Sequence, residues 1–294
     1  MTAPDVWRAF GVICEPPEPE HARLADALGL PAPTPEEHTE VFLFQSYPYA
    51  SVYLGDEGML GGEARERVAG FWRALGLVPP AEPDHLAALL GLYASLLELE
   101  EREEEPARRL LRREARRALL WEHVLSWSTP FLKSVREVAG PTYARWAAAL
   151  EEALVAEAAR LATPARLPLA LREAAGTPSP DDGVDAFVSG ILAPVRSGIV
   201  LPRASIAVIA HDAGLGLRAR DRASALRSLL EQDPSGTLRR LSEEARRWSA
   251  IHRSTRAALG VVARFWEERA EATAALLLDA SAVAEEVMAG APGS

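Results

Sequence analysis

Apolar residues recur along this chain at spacings of three and four, the period of a helix with one buried face. Leu86, Leu89, Leu90, Tyr93, Leu96 and Leu97 form one such stripe, and Val68, Phe71, Trp72 and Leu75 form another. A third, Leu110, Leu111, Ala115, Ala118, Leu119, Val124 and Leu125, predicts a long arginine-rich helix from Pro106 to Trp127. Strand-like runs are confined to Ser51–Leu54 and Ile199–Leu201, too little for a sheet. Alanine, leucine, arginine and glutamate, all good helix formers, fill most of the rest. The pattern predicts an all-α protein.

Local signals place the helix ends. Thr34-Pro35-Glu36-Glu37 has the form of a capping box with proline in the first turn, and its helix should break near Tyr47-Pro48. Gly61-Gly62 opens the next helix and Pro79-Pro80 closes it; Asp84 is expected to cap the one after. Pro130 and Pro141 punctuate two more. The run Gly176-Thr177-Pro178-Ser179-Pro180-Asp181-Asp182-Gly183 is a linker by composition. It divides the chain into a helical domain, 1–175, and a module, 184–294. Shorter helices are expected near 184–192, 203–213 and 219–231, then one long helical stretch from 236 to 288, with a frayed end at 289–294.

Composition narrows the class. With 294 residues, a sizeable core is available. One cysteine, Cys14, excludes a disulfide framework and a cysteine-rich metal site. The first sixteen residues lack a basic start and an apolar run, and no apolar stretch reaches bilayer length, so a cytoplasmic location is expected. The net charge is −10, unfavourable for general nucleic-acid binding, but it is uneven. Residues 1–195 carry a net −12, residues 196–256 a net +6 and the remainder −4. All basic residues except Lys133 are arginine.

Three places interrupt the helical pattern. Tyr47-Pro48-Tyr49-Ala50-Ser51-Val52-Tyr53-Leu54-Gly55 puts three tyrosines into a loop between helices, where they can face a peptide or pack as core. In Glu82-Pro83-Asp84-His85, Asp84 can cap a helix and leave His85 in the first turn, where free amides favour an anion or a peptide carbonyl. In Trp121-Glu122-His123-Val124-Leu125-Ser126-Trp127, His123 and Trp127 share a helix face, with His123 most simply a hydrogen-bonded core residue.

Taken in order, these three segments resemble the TorD/DmsD/NarJ-type maturation chaperones. The resemblance is carried by residues 42–131, extends to 1–165 and has no counterpart after 183. It implies an all-helical TorD-like bundle, here with a C-terminal helical extension. It implies a protein that performs no catalysis and binds the twin-arginine leader, or the apo form, of a molybdenum-cofactor oxidoreductase before cofactor insertion and export. Client contacts then fall to Tyr49, Ser51, Tyr53, Asp84 and His85, with Trp72, Leu89, His123 and Trp127 building groove and core. No cofactor or metal of its own is expected. On this reading, replacing Asp84 and His85 by alanine weakens client binding and changes melting little.

Two rivals remain at this level. His211-Asp212 has the adjacency of some metal ligands but lacks further ligands at a defensible spacing, and no phosphate loop, GxSxG or GxGxxG occurs. Residues 201–231 have the outline of a helix-turn-helix, in which Arg218, Arg220, Arg222 and Arg227 would face DNA phosphates.

Overall fold

Side chains of 127–146 and 42–53 that the sequence leaves scattered are brought into one aromatic core. Phe42 lies edge-on to Tyr143 and Trp146 at 4.8 and 5.7 Å between ring centroids, and Tyr53 stacks on Trp127 at 5.3 Å. The indole N–H groups stay satisfied: Trp146 Nε1 donates to the Phe10 carbonyl at 3.0 Å and Trp127 Nε1 to that of His123 at 2.8 Å.

The computed structural model describes residues 1–217 and 221–290. Its described chain is helical, with no strand among the described residues and one isolated antiparallel bridge, Tyr49 to His85. Two compact units emerge: 1–55 with 59–172, and 56–58 with 173–294.

In the first unit α1 (Ala3–Ile13) and α2 (His21–Ala27) lead to α3 (Pro35–His38), which continues as a π-helical segment, Thr39–Gln45. Short α4 (Ala50–Leu54) and α5 (Gly62–Ala74) precede α6 (Leu86–Arg102). Then come α7 (Pro106–Ala118), a second π-helical segment (Leu119–Val124), α8 (Ser128–Val138), α9 (Pro141–Arg160) and α10 (Leu169–Glu173). Helix α1 runs antiparallel along α6. Gly11 makes that approach possible, since a Cβ there would lie 3.1 Å from the Ala87 Cα. Across the same bundle Arg116 of α7 is buried with Glu157 of α9, Glu100 of α6 and the Tyr93 hydroxyl. Tyr93 donates to Glu157 at 2.7 Å, and Arg116 Nε donates to Glu100 at 2.7 Å, so every charge of the cluster has a partner.

The expected helix 106–127 is thus two segments with different pitch. Leu110 and Leu111, assigned above to its buried face, are exposed at 59 and 70%. The helix gives its surface leucines to solvent because Arg112 and Arg116, on the other side, are drawn to Glu103 and Glu100. Ser51–Leu54 forms helix α4, not a strand.

The second unit comprises α11 (Val184–Leu192), α12 (Pro194–Ser197), α13 (Arg203–Asp212), α14 (Arg222–Gln232), α15 (Pro234–Ser254), α16 (Arg256–Leu259) and α17 (Val261–Gly290). The expected stretch 236–288 folds back on itself: Thr255 ends α15, Gly260 ends α16, and α15 and α17 pair antiparallel. Ser242 donates to the Ala274 carbonyl at 2.7 Å, and Arg253 pairs with Glu267 at 2.7 Å and Glu271 at 2.6 Å. Where α12 ends, Gly198 has φ +73°, and a Cβ would meet the Ala270 amide nitrogen at 2.3 Å, so only glycine fits. His252, buried between Trp248 and Trp266, has Nε2 2.9 Å from the Gly198 carbonyl.

The arginines of this unit serve mainly as internal ties. Arg222 donates to the Leu201 carbonyl at 3.2 Å and Arg227 pairs with Asp185 at 2.6 Å. Arg196 holds the Gly176 carbonyl and Arg240 that of Asp212. A phosphate-facing role for Arg222 and Arg227 is therefore corrected: both are engaged within the fold. Arg218 and Arg220 lie outside the described residues; of the end expected to fray, 289 and 290 close α17 and 291–294 lie outside the described residues.

Candidate functional site

A groove of about 1090 Å³ opens on the first unit. Its floor is the face of α6 turned away from most of the stripe that the sequence predicts, sharing only Leu96 with it. Ala87, Ala88, Gly91 and Ser95 keep the floor low, and Leu92, Leu96 and Leu99 make it apolar. The Gly91 position faces open space, since a Cβ there would meet nothing within 4 Å.

One wall comes from Tyr47-Pro48-Tyr49 and from Phe42 and Leu43 of the first π-helical segment. There the Ser46 amide bonds the Val41 carbonyl at 2.7 Å, five residues back. The extra residue in the turn leaves Val41 and Phe42 in the core and turns Leu43 and Phe44 out, about half exposed. The opposite wall carries Leu60, Trp72, Leu77 and Pro80–Glu82. The residues just past α1, Cys14, Glu15 and Pro16, complete the lining.

The polar residues of the motif divide into supports and lining. Asp84 is 1% exposed, and its carboxylate accepts from the Ser51 amide at 3.1 Å. Its carbonyl accepts from Ala50 at 3.0 Å, and the Pro48 carbonyl accepts from Leu86 at 2.9 Å. Tyr49, at the start of α4, offers that helix no side-chain cap. Asp84 therefore caps α4 from a distant part of the chain, and the expectation that it caps α6 is corrected. That cap is His85, whose Nδ1 accepts from the Ala87 amide at 3.2 Å. An acceptor Nδ1 makes the ring neutral with its proton on Nε2, and burial lowers its pKa further, against the opposing pull of Glu82 and Asp84.

Of the residues expected to meet a client, Tyr49 and His85 line the groove, with rings edge to face at 4.7 Å. Burial and the facing Glu82 carboxylate raise the Tyr49 hydroxyl pKa, so it stays a donor. Ser51 and Tyr53 are placed differently. Ser51 is fully buried and its hydroxyl accepts from the Gly61 amide at 3.1 Å, while Tyr53 is 1% exposed in the aromatic core. Both are corrected from contact residues to supports, because α4 turns their side chains inward. Among the expected supports, Trp72 lines the groove; Leu89 and Trp127 are fully buried in the core. His123 is buried against Phe71 at 4.7 Å, and its pKa is pushed down to about 4 by burial and then by Arg67.

Glu15 and Glu82 also line the groove, and the sequence analysis named neither as a site residue. Burial raises the Glu15 carboxyl above its usual range, His21 opposing and Glu18 adding to the shift. The groove thus pairs a broad apolar surface with carboxylates at its margins.

Residues 32–133 match the family model described as nitrate reductase delta subunit. This segment is of the NarJ/TorD-like chaperone family. The nitrate reductase delta family is one of redox-enzyme maturation chaperones, and its members bind nitrate reductase-type molybdoenzyme subunits. The matched segment covers about a third of the chain, lies in the first unit except for 56–58, and includes most of the groove lining. No curated protein matches the chain. Among the described residues no helix is long and apolar enough to cross a membrane.

Proposed function

We propose that the chain is a cytoplasmic maturation chaperone whose groove receives a peptide segment of a molybdoenzyme catalytic subunit, its twin-arginine leader being the segment of best-matched chemistry. The observation that carries this reading is the groove itself, an open apolar trough of about 1090 Å³ within the family-matched unit, edged by carboxylates. A leader joins paired arginines to an apolar run, and such a trough meets both parts. Tyr49 and His85 act as contacts; Asp84, Ser51 and Tyr53 hold the wall that carries them. Binding in the micromolar range needs only about −8 kcal/mol, within reach of a few buried apolar anchors and compatible with release.

The test fills the trough. Gly91→Leu projects a side chain into open space from a helix that tolerates leucine better than glycine, so folding is preserved. The tagged parent chain, purified gently from its own cells, should carry a molybdoenzyme catalytic subunit in stoichiometric amount, and Gly91→Leu should lose it. Absence of such a subunit from the parent, or its retention by Gly91→Leu at parental yield, refutes the reading.

A further inference from the structure

Several carboxylates of the first unit are matched by a basic side chain: Glu98 by Arg8 at 2.9 Å, Glu103 by Arg112 at 2.8 Å, Glu151 by Lys133 at 2.8 Å and by Arg136 at 3.1 Å. Glu15 and Glu82 differ. They line the groove from two separate segments, one just past α1 and one just before α6, and among the described residues no lysine or arginine pairs with either. Glu82 faces the Tyr49 hydroxyl, and Glu15 faces His21, whose Nδ1 already accepts from the Glu18 amide at 3.2 Å. Both carboxylates are exposed at the edge of the groove beside its apolar lining, where a cation that arrives with its own apolar neighbours meets a partner for each part. Asp84, the acidic residue that the family resemblance singles out, cannot play that part, since it is buried and already accepts the Ser51 amide.

We infer that Glu15 and Glu82 are the specificity-determining residues of the groove, reading the guanidinium groups of a bound peptide while the α6 floor reads its apolar run. This rests on the groove being the peptide site, as proposed above. Guanidinium is favoured because its planar fork can engage a carboxylate through two parallel hydrogen bonds. Both carboxylates keep an open side, so their contribution falls as salt rises, whereas apolar contact with the floor does not.

The experiment uses the full chain and two labelled synthetic peptides, each with two adjacent basic positions followed by a leucine- and alanine-rich run. One carries arginine at those positions; the other carries neutral, isosteric citrulline. Fluorescence anisotropy at low and high salt gives the dissociation constants. The parent should prefer the arginine peptide by about tenfold at low salt, and the double variant Glu15→Gln with Glu82→Gln should lose that preference while still binding the citrulline peptide. Glutamine retains an oxygen for the Tyr49 hydroxyl, so the wall is undisturbed. Equal parental affinity for the two peptides overturns the inference, as does full discrimination in the double variant. The Gly91→Leu chain separates the two levels: if it binds both peptides as the parent does, the groove reading itself falls, and this inference with it.

Discussion

Replacing Asp84 by alanine tests whether the motif aspartate supports the fold or touches the client. Its carboxylate accepts from the Ser51 amide at the start of α4, a helix five residues long and without a side-chain cap of its own. Alanine removes that acceptor and leaves the Ser51 amide, in a fully buried residue, without it. Losing an N-cap acceptor costs roughly 0.5–2 kcal/mol, and stranding a buried donor roughly 1–3 kcal/mol. The two figures describe the same lost bond, so a net destabilisation of about 2 kcal/mol is expected. For a unit of this size that lowers the melting midpoint by about 4–8 °C. Asp84→Asn keeps an oxygen in place and should melt within about 2–4 °C of the parent, a loss under about 1 kcal/mol. Differential scanning calorimetry of parent, Asp84→Ala and Asp84→Asn measures this directly. An alanine variant that melts within 1 °C of the parent would refute the capping assignment. The expectation from sequence, that alanine at 84 and 85 leaves melting nearly unchanged, is reversed by this geometry.

Arg116→Ala should destabilise the first unit by about 3–5 kcal/mol, because Glu157 and Glu100 keep their buried or half-buried charges and lose their shared partner; calorimetry giving a loss below about 1 kcal/mol would contradict the cluster. Stability should also fall on acidification. His123 titrates near 4 in the folded state and near 6.5 when unfolded, so below pH 6.5 the unfolded chain takes up a proton that the folded chain refuses, costing about 3 kcal/mol by pH 4. His38 and His85, both lowered by burial, act in the same direction. Melting midpoints between pH 7.5 and 4.5 should therefore drop with a slope that His123→Gln flattens, and an unchanged slope in that variant would rule out His123 as the source.

The helical class, most helix starts and the aromatic segment were legible because they rest on local rules. The Thr34 hydroxyl does accept from the Glu37 amide at 3.2 Å, and Gly61-Gly62 does open α5. Legibility failed where a residue's role depends on a distant partner. Asp84 stands at a helix start and looks like its cap; only the fold brings the Ser51 amide to it from 33 residues away. Leu110 and Leu111 fit an apolar face by spacing, but the neighbouring arginines find the half-buried carboxylates of Glu103 and Glu100 and fix the helix the other way round. The long stretch 236–288 carries no proline break, so its reversal at 255–260 is marked only by Gly260, whose φ of +53° lies in the left-handed region. The groove floor was visible in principle: Ala87, Ala88, Gly91 and Ser95 form a small-residue face on a helix whose other face is leucine-rich.

The motif's division of labour bears on how its mutations must be read. One hydrogen-bonded bridge joins 48–50 to 84–86, and it carries Tyr49 and His85 onto the same wall. Asp84 locks that bridge to α4, and His85 caps the floor helix while its ring faces the groove. A substitution at either position therefore changes wall geometry and peptide contact together, and lost binding in such a variant does not identify a contact. Glu15, Glu82 and Gly91 differ, because their side-chain positions face the groove and brace no helix end. Binding energy apportioned through these three measures the groove's chemistry, and energy apportioned through Asp84 measures the stability of the wall that presents it.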